Sequence, residues 1–144
     1  MRTFTIKEAL ELDDLNDERY NIYLYRDSEV VLYIGQSSRP FERLREHLGQ
    51  GDRNLYDPDF VGQLMLNNRP ASLTWEVQIA TLAELQQLLN LPVRIDKVSL
   101  DSMERDLILL YKPCLNRTGN PHRTPLPARY IKESAIANEG VILE

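Results

Sequence analysis

Apolar and polar residues alternate along the chain with two different periods, which predict a mixture of strands and helices. Two aromatic and β-branched runs, Asn21–Tyr25 and Val30–Ile34, are separated by a short polar stretch and predict a β-hairpin. Leu73–Ile79 alternates apolar and polar residues and predicts a third strand. Elsewhere apolar residues recur at helical spacing after capping residues. These helices are predicted over 6–16, from Ser37 or Ser38 to about Gly49, from Asp57 or Pro58 to about Asn67, from Thr81 to about Leu89 and from Asp101 to about Tyr111.

This order of elements predicts an α/β domain of the α+β type, with a small antiparallel three-stranded sheet flanked by helices. A chain of 144 residues is long enough for one domain with its own core. We expect an acidic N-terminal segment over 1–19 that packs on or leads into the domain, and the domain itself over 20–120. A polar, proline-containing and loosely ordered C-terminal arm is expected over 121–144.

Composition narrows the function classes. The single cysteine excludes an internal disulfide and a zinc site built from cysteines. No apolar run approaches the ~20 residues of a membrane helix, and the N-terminus lacks a signal-peptide pattern, so we expect a cytoplasmic protein without a membrane partner. Neither a GxxxxGK[ST] loop nor a GxGxxG motif is present, so no nucleotide cofactor is indicated.

The net charge of −5 is distributed unevenly. Residues 8–18 contain six acids and no base, which we interpret as a solvated surface. Residues 107–132 contain five bases and no acid, and this stretch could contact phosphates. Its bases are Lys112, Arg117, Arg123, Arg129 and Lys132.

Six polar side chains stand in an ordered set. The predicted hairpin contains Asn21-Ile22-Tyr23 and, ten residues on, Tyr33-Ile34-Gly35. Arg43 and His47 then follow on one side of the next predicted helix, four residues apart. Glu104 and Asn116 come late in the chain. Over about residues 20–120 this set resembles the GIY-YIG endonucleases, with Asn21 in place of the first motif's glycine.

The resemblance implies a GIY-YIG-like domain and a metal-dependent endonuclease acting on DNA. It implies that Tyr23 is the general base and that Tyr33 orients water or phosphate. It further implies that Arg43 clamps phosphate, that Glu104 binds the metal, that His47 shuttles a proton and that Asn116 shapes the site. The nucleic-acid contacts are expected from Arg43, Lys112, Arg117 and Arg123.

The residue types suit this chemistry on their own terms. Glu104 can hold a hard divalent cation such as Mg²⁺ or Mn²⁺, with water and phosphate oxygens as its other ligands. The planar guanidinium of Arg43 fits a phosphate. A tyrosine such as Tyr23 can act as a base if neighbouring cations lower its pKa from about 10. Pairing of Tyr23 with Tyr33, across a three-residue loop, would place both on one face of the hairpin.

Each residue also has an ordinary structural explanation. Strand tyrosines are usually packing residues, and a histidine near a helix end is usually on the surface. Asp101-x-x-Glu104 before an apolar run is typical of a capping box at a helix start. Asn116 could be a turn residue after Pro113. A second hypothesis is therefore a catalytically silent module of the same fold that binds nucleic acid or a protein.

The partners follow from these two hypotheses. The first predicts DNA as the substrate, with branched and damaged forms among the candidates. It leaves a homodimer or a targeting protein open, because a double-strand cut needs two active sites or two visits of one site.

Overall fold

A computed structural model describes residues 1–14, 21–52, 57–89 and 97–131, and within them the chain has an α+β architecture. The strands are β1 (Arg2–Thr5), β2 (Asn21–Arg26), β3 (Val31–Ser37) and β4 (Glu76–Thr81). The helices are α1 (Ile6–Ala9), α2 (Pro40–His47), α3 (Phe60–Asn67), α4 (Leu82–Leu89) and α5 (Lys97–Tyr111). Short 3-10 turns lie at Ala71–Thr74 and Ala128–Tyr130. The described strands form one antiparallel sheet in the order β1-β4-β2-β3, so the α+β class is confirmed and the predicted number of three strands is wrong.

The additional strand is β1, which pairs with β4 at the edge of the sheet, Arg2 opposite Ile79 and Thr5 opposite Glu76. None of its residues is fully buried, so the alternation that reveals a strand is weak. Thr5 then forms a capping box with Glu8 and starts α1.

The predicted helix over 6–16 is wrong beyond Ala9, where α1 ends. The chain beyond α1 is held by α2 instead. The carbonyl of Leu12 accepts a hydrogen bond from Arg45 (2.9 Å), and the Asp14 carboxylate accepts from the N–H groups of Phe41 (2.8 Å) and Glu42 (3.0 Å). Asp14 thus caps α2, which begins at Pro40 rather than after Ser37 or Ser38. Residues 15 and 16 lie outside the described part.

The sheet separates two hydrophobic cores, because successive strand residues point to opposite faces. On one face α1, α2, α3 and the C-terminal segment cover Tyr23, Tyr25 and Trp75. On the other face α4 and α5 cover Ile22, Leu24 and Ile34.

The predicted hairpin is confirmed, but its predicted register is wrong. Tyr33 lies opposite Tyr25, and Tyr23 lies opposite Gly35. The register shifts between Tyr25 and Arg26, where Arg26 pairs with Val31 and the ladder therefore contains an extra residue. The side chain of Asp27 accepts the N–H groups of Glu29 and Val30, both at 2.7 Å, and this Asx-type turn makes the loop one residue longer than predicted.

Two later elements also begin elsewhere than predicted. Residues 71–74 form a 3-10 turn, so β4 starts at Glu76, and Trp75 packs against Tyr130 with ring centroids 4.8 Å apart. Helix α5 starts at Lys97 and not at Asp101 as predicted. Glu104 therefore lies in mid-helix, which excludes its alternative explanation as a capping-box residue. The capping box of Thr81 and Glu84 is confirmed at the start of α4.

The described part of the C-terminal arm is packed onto the domain rather than loosely ordered. Leu126 is completely buried, and the carbonyl of Tyr130 accepts a hydrogen bond from Asn68 (3.0 Å). Composition alone suggested a loose arm because these few anchoring residues lie among prolines and bases. Lys132 and the residues after it lie outside the described part.

Candidate active site

Three tyrosine rings of the hairpin surround the imidazole of His47. The centroids of Tyr23, Tyr25 and Tyr33 lie 6.1, 5.7 and 5.6 Å from that of His47. Tyr23 and Tyr33 have ring centroids 6.3 Å apart, which confirms the prediction that they share one face of the hairpin. Gly35 allows this arrangement, because a Cβ atom there would lie 2.4 Å from the Tyr23 hydroxyl.

A chain of hydrogen bonds connects Tyr23, His47 and Asp59, and we call these three residues the relay. The Tyr23 hydroxyl lies 3.0 Å from Nε2 of His47, and Nδ1 of His47 lies 2.5 Å from Oδ2 of Asp59. Tyr23 and His47 are each only 1% exposed, so His47 is not the surface histidine that its helix-end position also allowed. Asp59 was not singled out from the sequence, where its only signal was a place near the predicted start of a helix.

Close contact between α2 and α3 brings Asp59 to His47. The N–H of Asp59 donates to the carbonyl of His47 (3.0 Å), and Oδ1 of Asp59 caps α3 by accepting the N–H of Gly62 (3.0 Å). A Cβ atom on Gly62 would lie 1.7 Å from the His47 carbonyl oxygen, so only glycine permits the approach.

The pKa of Tyr23 is raised, contrary to the expectation that nearby cations would lower it. Burial is the largest cause, and the neighbouring Tyr33 adds to it, whereas Arg43 beside the hydroxyl lowers the pKa by less. Tyr23 is therefore a protonated phenol at neutral pH in this structure. Its oxygen can act as a base only by passing its own proton onward.

Arg43 lies at the outer side of this cluster. Its Nη1 forms an ion pair with Glu46 at 3.2 Å, and its side chain is 38% exposed. The predicted placement of Arg43 and His47 on one side of α2 is confirmed, since both neighbour Tyr23. The guanidinium is thus accessible to a phosphate from solvent.

Tyr33 connects this cluster to a cleft on the other side of the β3 edge. Its electrostatic neighbours include Arg43 and Glu104, and burial raises its pKa. The other side chains that line the cleft come from α5 and the segment after it. They are Asp101, Glu104, Arg105, Ile108, Leu115, Asn116, Arg117 and Thr118. Glu104 therefore shares a cleft with Tyr33, whereas Tyr23 and Arg43 do not line it.

Two carboxylates of this cleft converge on one donor. Nε2 of Gln36 donates to Oδ1 of Asp101 (2.7 Å) and to Oε2 of Glu104 (2.5 Å). Two hard oxygen ligands so close together suit Mg²⁺, which is bound through one or two carboxylates while water and phosphate complete its shell. Among the described residues no group of three or more histidine, cysteine, aspartate or glutamate side chains could hold a metal. Gln36 and Asp101 were not predicted as site residues.

Asn116 holds the edge of β3 in place. Its side chain accepts the N–H of Ile34 (2.9 Å) and donates to the carbonyl of Ile34 (2.8 Å), as a paired strand would. Cys114 and Leu115 donate their N–H groups to Val31 and Leu32 at 3.0 and 2.9 Å. The segment after α5 therefore covers this stretch of the sheet edge next to Tyr33.

The predicted nucleic-acid contacts are spread over the surface. Arg117 is exposed and lines the cleft with Glu104. Lys112 is exposed beyond the end of α5, and Arg123 is half-buried. These two residues are not part of the cleft lining, so the structure brings together Arg117 and Tyr33 but not the whole predicted set.

No protein-family model matches the chain, and neither a curated protein nor a solved structure matches it. Among the described residues, the helices are too short or too polar to cross a membrane.

Proposed function

We propose that the protein is a metal-dependent endonuclease that hydrolyses phosphodiester bonds in DNA. The observation that carries the proposal is the position of Tyr33. It lines a cleft together with the metal-binding candidate Glu104 and packs against His47, one helical turn from the phosphate-binding candidate Arg43. Hydrolysis of a phosphodiester needs positive charge at the phosphate and a bound metal ion near the attacking water, and therefore a side chain that holds the metal. The resemblance of the motif residues to the GIY-YIG endonucleases supports the same reading.

In this proposal the side chains have separate tasks. Glu104, together with Asp101, would hold Mg²⁺ or Mn²⁺, which when bound neutralises charge on the phosphate. Arg43 would turn from Glu46 to a phosphate oxygen, because its planar fork matches that group. Tyr33 would orient the attacking water or the phosphate, and Asn116 would keep the β3 edge in position for it.

A second candidate, a catalytically silent module of the same fold, is favoured by two observations. Tyr23 and His47 are 1% exposed, as expected of side chains whose hydrogen bonds serve stability. The net charge of −5 also gives little general attraction to a polyanion. Such a module would bind nucleic acid or a protein without cutting.

Nicking of supercoiled plasmid in Mg²⁺ or Mn²⁺, against EDTA, separates the two candidates. Branched, damaged and single-stranded DNA, and RNA, belong in the same assay. We expect metal-dependent cleavage of at least one DNA form, retained in Tyr25→Phe, whose hydroxyl is buried without a hydrogen-bond partner among the described residues. Absence of cleavage from every form would favour the silent module. Light scattering on the same protein, with and without DNA, tests a homodimer.

The contribution of the basic residues is tested through salt. Replacing Arg117 and Arg123 with alanine should weaken binding to DNA whatever its base sequence. It should also lower the slope of log affinity against log salt, by about 0.9 for each duplex phosphate contact that is lost. An unchanged slope would remove these two residues from the interface.

A further inference from the structure

We propose that Asp59 is a positioning residue that fixes His47 in one tautomer, with Nε2 ready to accept the proton of Tyr23. The proposal rests on the proposed function for its catalytic use, but its geometric part can be tested without substrate. It assigns a role to a residue that lies on the connection to α3, outside the motif residues.

The hydrogen-bond partners determine the tautomer. The Asp59 carboxylate can only accept, so Nδ1 of His47 must carry a proton to form the 2.5 Å contact. In the neutral imidazole Nε2 is then an acceptor, and the Tyr23 hydroxyl at 3.0 Å must be its donor. The Tyr23 proton therefore already points at His47, and the Tyr23 oxygen retains its lone pairs for other partners.

Asp59 is held to His47 at more than one point, which is what a positioning role requires. The backbone N–H of Asp59 is bonded to the His47 carbonyl, while Oδ1 is bonded to Gly62 and Oδ2 to His47. Each carboxylate oxygen thus has its own partner. The side chain is 44% exposed, so its negative charge is available to compensate an imidazolium without full desolvation.

This arrangement removes the need for a free phenolate, which burial of Tyr23 disfavours. A water would give one proton to the Tyr23 oxygen while Tyr23 gives its own proton to Nε2 of His47. The resulting hydroxide oxygen forms a bond to phosphorus, and the bond from phosphorus to the leaving oxygen breaks. The leaving oxygen takes a proton from solvent water, and His47 later returns its proton to solvent. Movement of Arg43 toward the phosphate would free the position on the Tyr23 oxygen that this water needs.

Asp59→Asn tests the assignment, because an amide has only one oxygen and cannot accept hydrogen bonds from both the N–H of Gly62 and Nδ1 of His47. If the amide oxygen keeps the cap on Gly62, the NH₂ group faces Nδ1 of His47, which must then become the acceptor. Nε2 would carry the proton and donate to Tyr23, so the direction of the relay would be reversed. Asparagine is also a good N-cap residue, and we expect the variant to fold.

Nitrogen-15 NMR of the two histidine rings reads the tautomer directly, and His122→Gln assigns the signals to His47. We expect the Nδ1-protonated tautomer in the wild type and the Nε2-protonated tautomer in Asp59→Asn. A wild-type protein with its proton on Nε2, or an unchanged tautomer in the variant, would overturn the proposal.

The kinetic arm uses the same variant, with Asp57→Asn as a matched control on the same connection. We expect Asp59→Asn to lower kcat by about 10²- to 10⁴-fold with little change in KM, the usual range for loss of acid-base assistance. Asp57→Asn should keep the wild-type kcat. A wild-type protein that cuts while Asp59→Asn has unchanged kcat would overturn the proposal and leave the nuclease function intact. If the wild type cuts nothing, the nuclease function fails instead, and the tautomer alone decides whether Asp59 positions His47.

Discussion

Two tyrosine hydroxyls in this molecule are linked to aspartates in different ways. In the relay an imidazole stands between Tyr23 and Asp59. At the tip of the hairpin, the hydroxyl of Tyr130 is bonded directly to the Asp27 carboxylate, which also forms an ion pair with Arg129 at 3.3 Å. We call Tyr130, Asp27 and Arg129 the turn cluster.

In our proposal, this difference distinguishes a path for proton transfer from a cluster that serves stability alone. In the turn cluster, burial and the hydrogen bond to Asp27 raise the pKa of Tyr130 to about 12, and Asp27 also accepts two backbone N–H groups of its own loop. The contacts of Tyr130 and Arg129 with Asp27 hold the C-terminal segment onto the hairpin. In the relay, the imidazole of His47 can accept a proton at one ring nitrogen while it donates from the other. The inserted imidazole is therefore the feature that makes the relay suitable for chemistry.

The largest expected contrast is in cleavage by Tyr23→Phe and Tyr130→Phe. Tyr23→Phe removes the hydroxyl of the relay and should lower kcat by about 10²- to 10⁴-fold. Tyr130→Phe should leave the kcat of folded protein within about threefold, because the turn cluster is not part of the cleft or the relay. Single-turnover nicking rates of both variants check this. Equal losses would mean that the two clusters do not differ in function.

Glu104→Gln should have the next largest effect. Glutamine can still accept the hydrogen bond from Gln36, so we expect a stable fold. The lost charge weakens binding of a hard cation, and several kcal/mol of transition-state stabilisation correspond to about 10²- to 10³-fold in rate. Titration with Mn²⁺, following both melting temperature and nicking, is the measurement. Wild-type cleavage by Glu104→Gln would place the metal elsewhere.

Tyr130→Phe, which should have little effect on cleavage, should have a clear effect on stability. Tyr130→Phe removes a hydrogen bond to a charged group and should lower the free energy of unfolding by about 1.5–3 kcal/mol. Tyr25→Phe is the matched control, because its buried hydroxyl has no hydrogen-bond partner among the described residues and its loss should be neutral or stabilising. Urea denaturation measures both. A Tyr130→Phe protein with the wild-type free energy of unfolding would show that the turn cluster does not stabilise the fold.

The smallest expected effect is on the acid side of the stability profile. Burial alone would raise the pKa of Asp27, but the Tyr130 hydroxyl, the N–H groups of Val30 and Glu29 and the charge of Arg129 outweigh it and lower the pKa. A depressed folded-state pKa adds stability that is complete above the unfolded value of about 4 and is lost as the pH falls through the folded value. Asp27→Asn should therefore flatten the loss of stability below about pH 4. An unchanged slope between pH 5 and 2 would contradict this.

The sequence predicted elements whose residues act locally and missed those that depend on tertiary contact. Alternation in the hairpin was enough to place Tyr23 and Tyr33 on one face, because the side-chain period of two survives an error in register of two residues. The register itself depended on the Asp27 turn and the extra residue beside it. Neither has a periodic signal.

The candidate site shows the same division. Helical spacing placed Arg43 beside His47. Asp59 reaches His47 only because Gly62 lets two helices touch, and Gln36 meets Asp101 and Glu104 only because α5 packs under β3. Polar residues in loops and at strand ends have no periodic pattern from which such tertiary contacts can be predicted.

The position of β1 in the sheet affects the order in which the strands can pair during synthesis. Its partner β4 is roughly 70 residues further along the chain, and synthesis at about 5–20 residues per second separates the two strands by about 4–14 s. The β2–β3 hairpin, with both motif tyrosines, needs only neighbouring residues and can pair while the rest is still being made. β4 then joins β2, and only this gives β1 an edge to which it can bind. Of the four described strands, the first to be synthesised is thus the last that can enter the sheet.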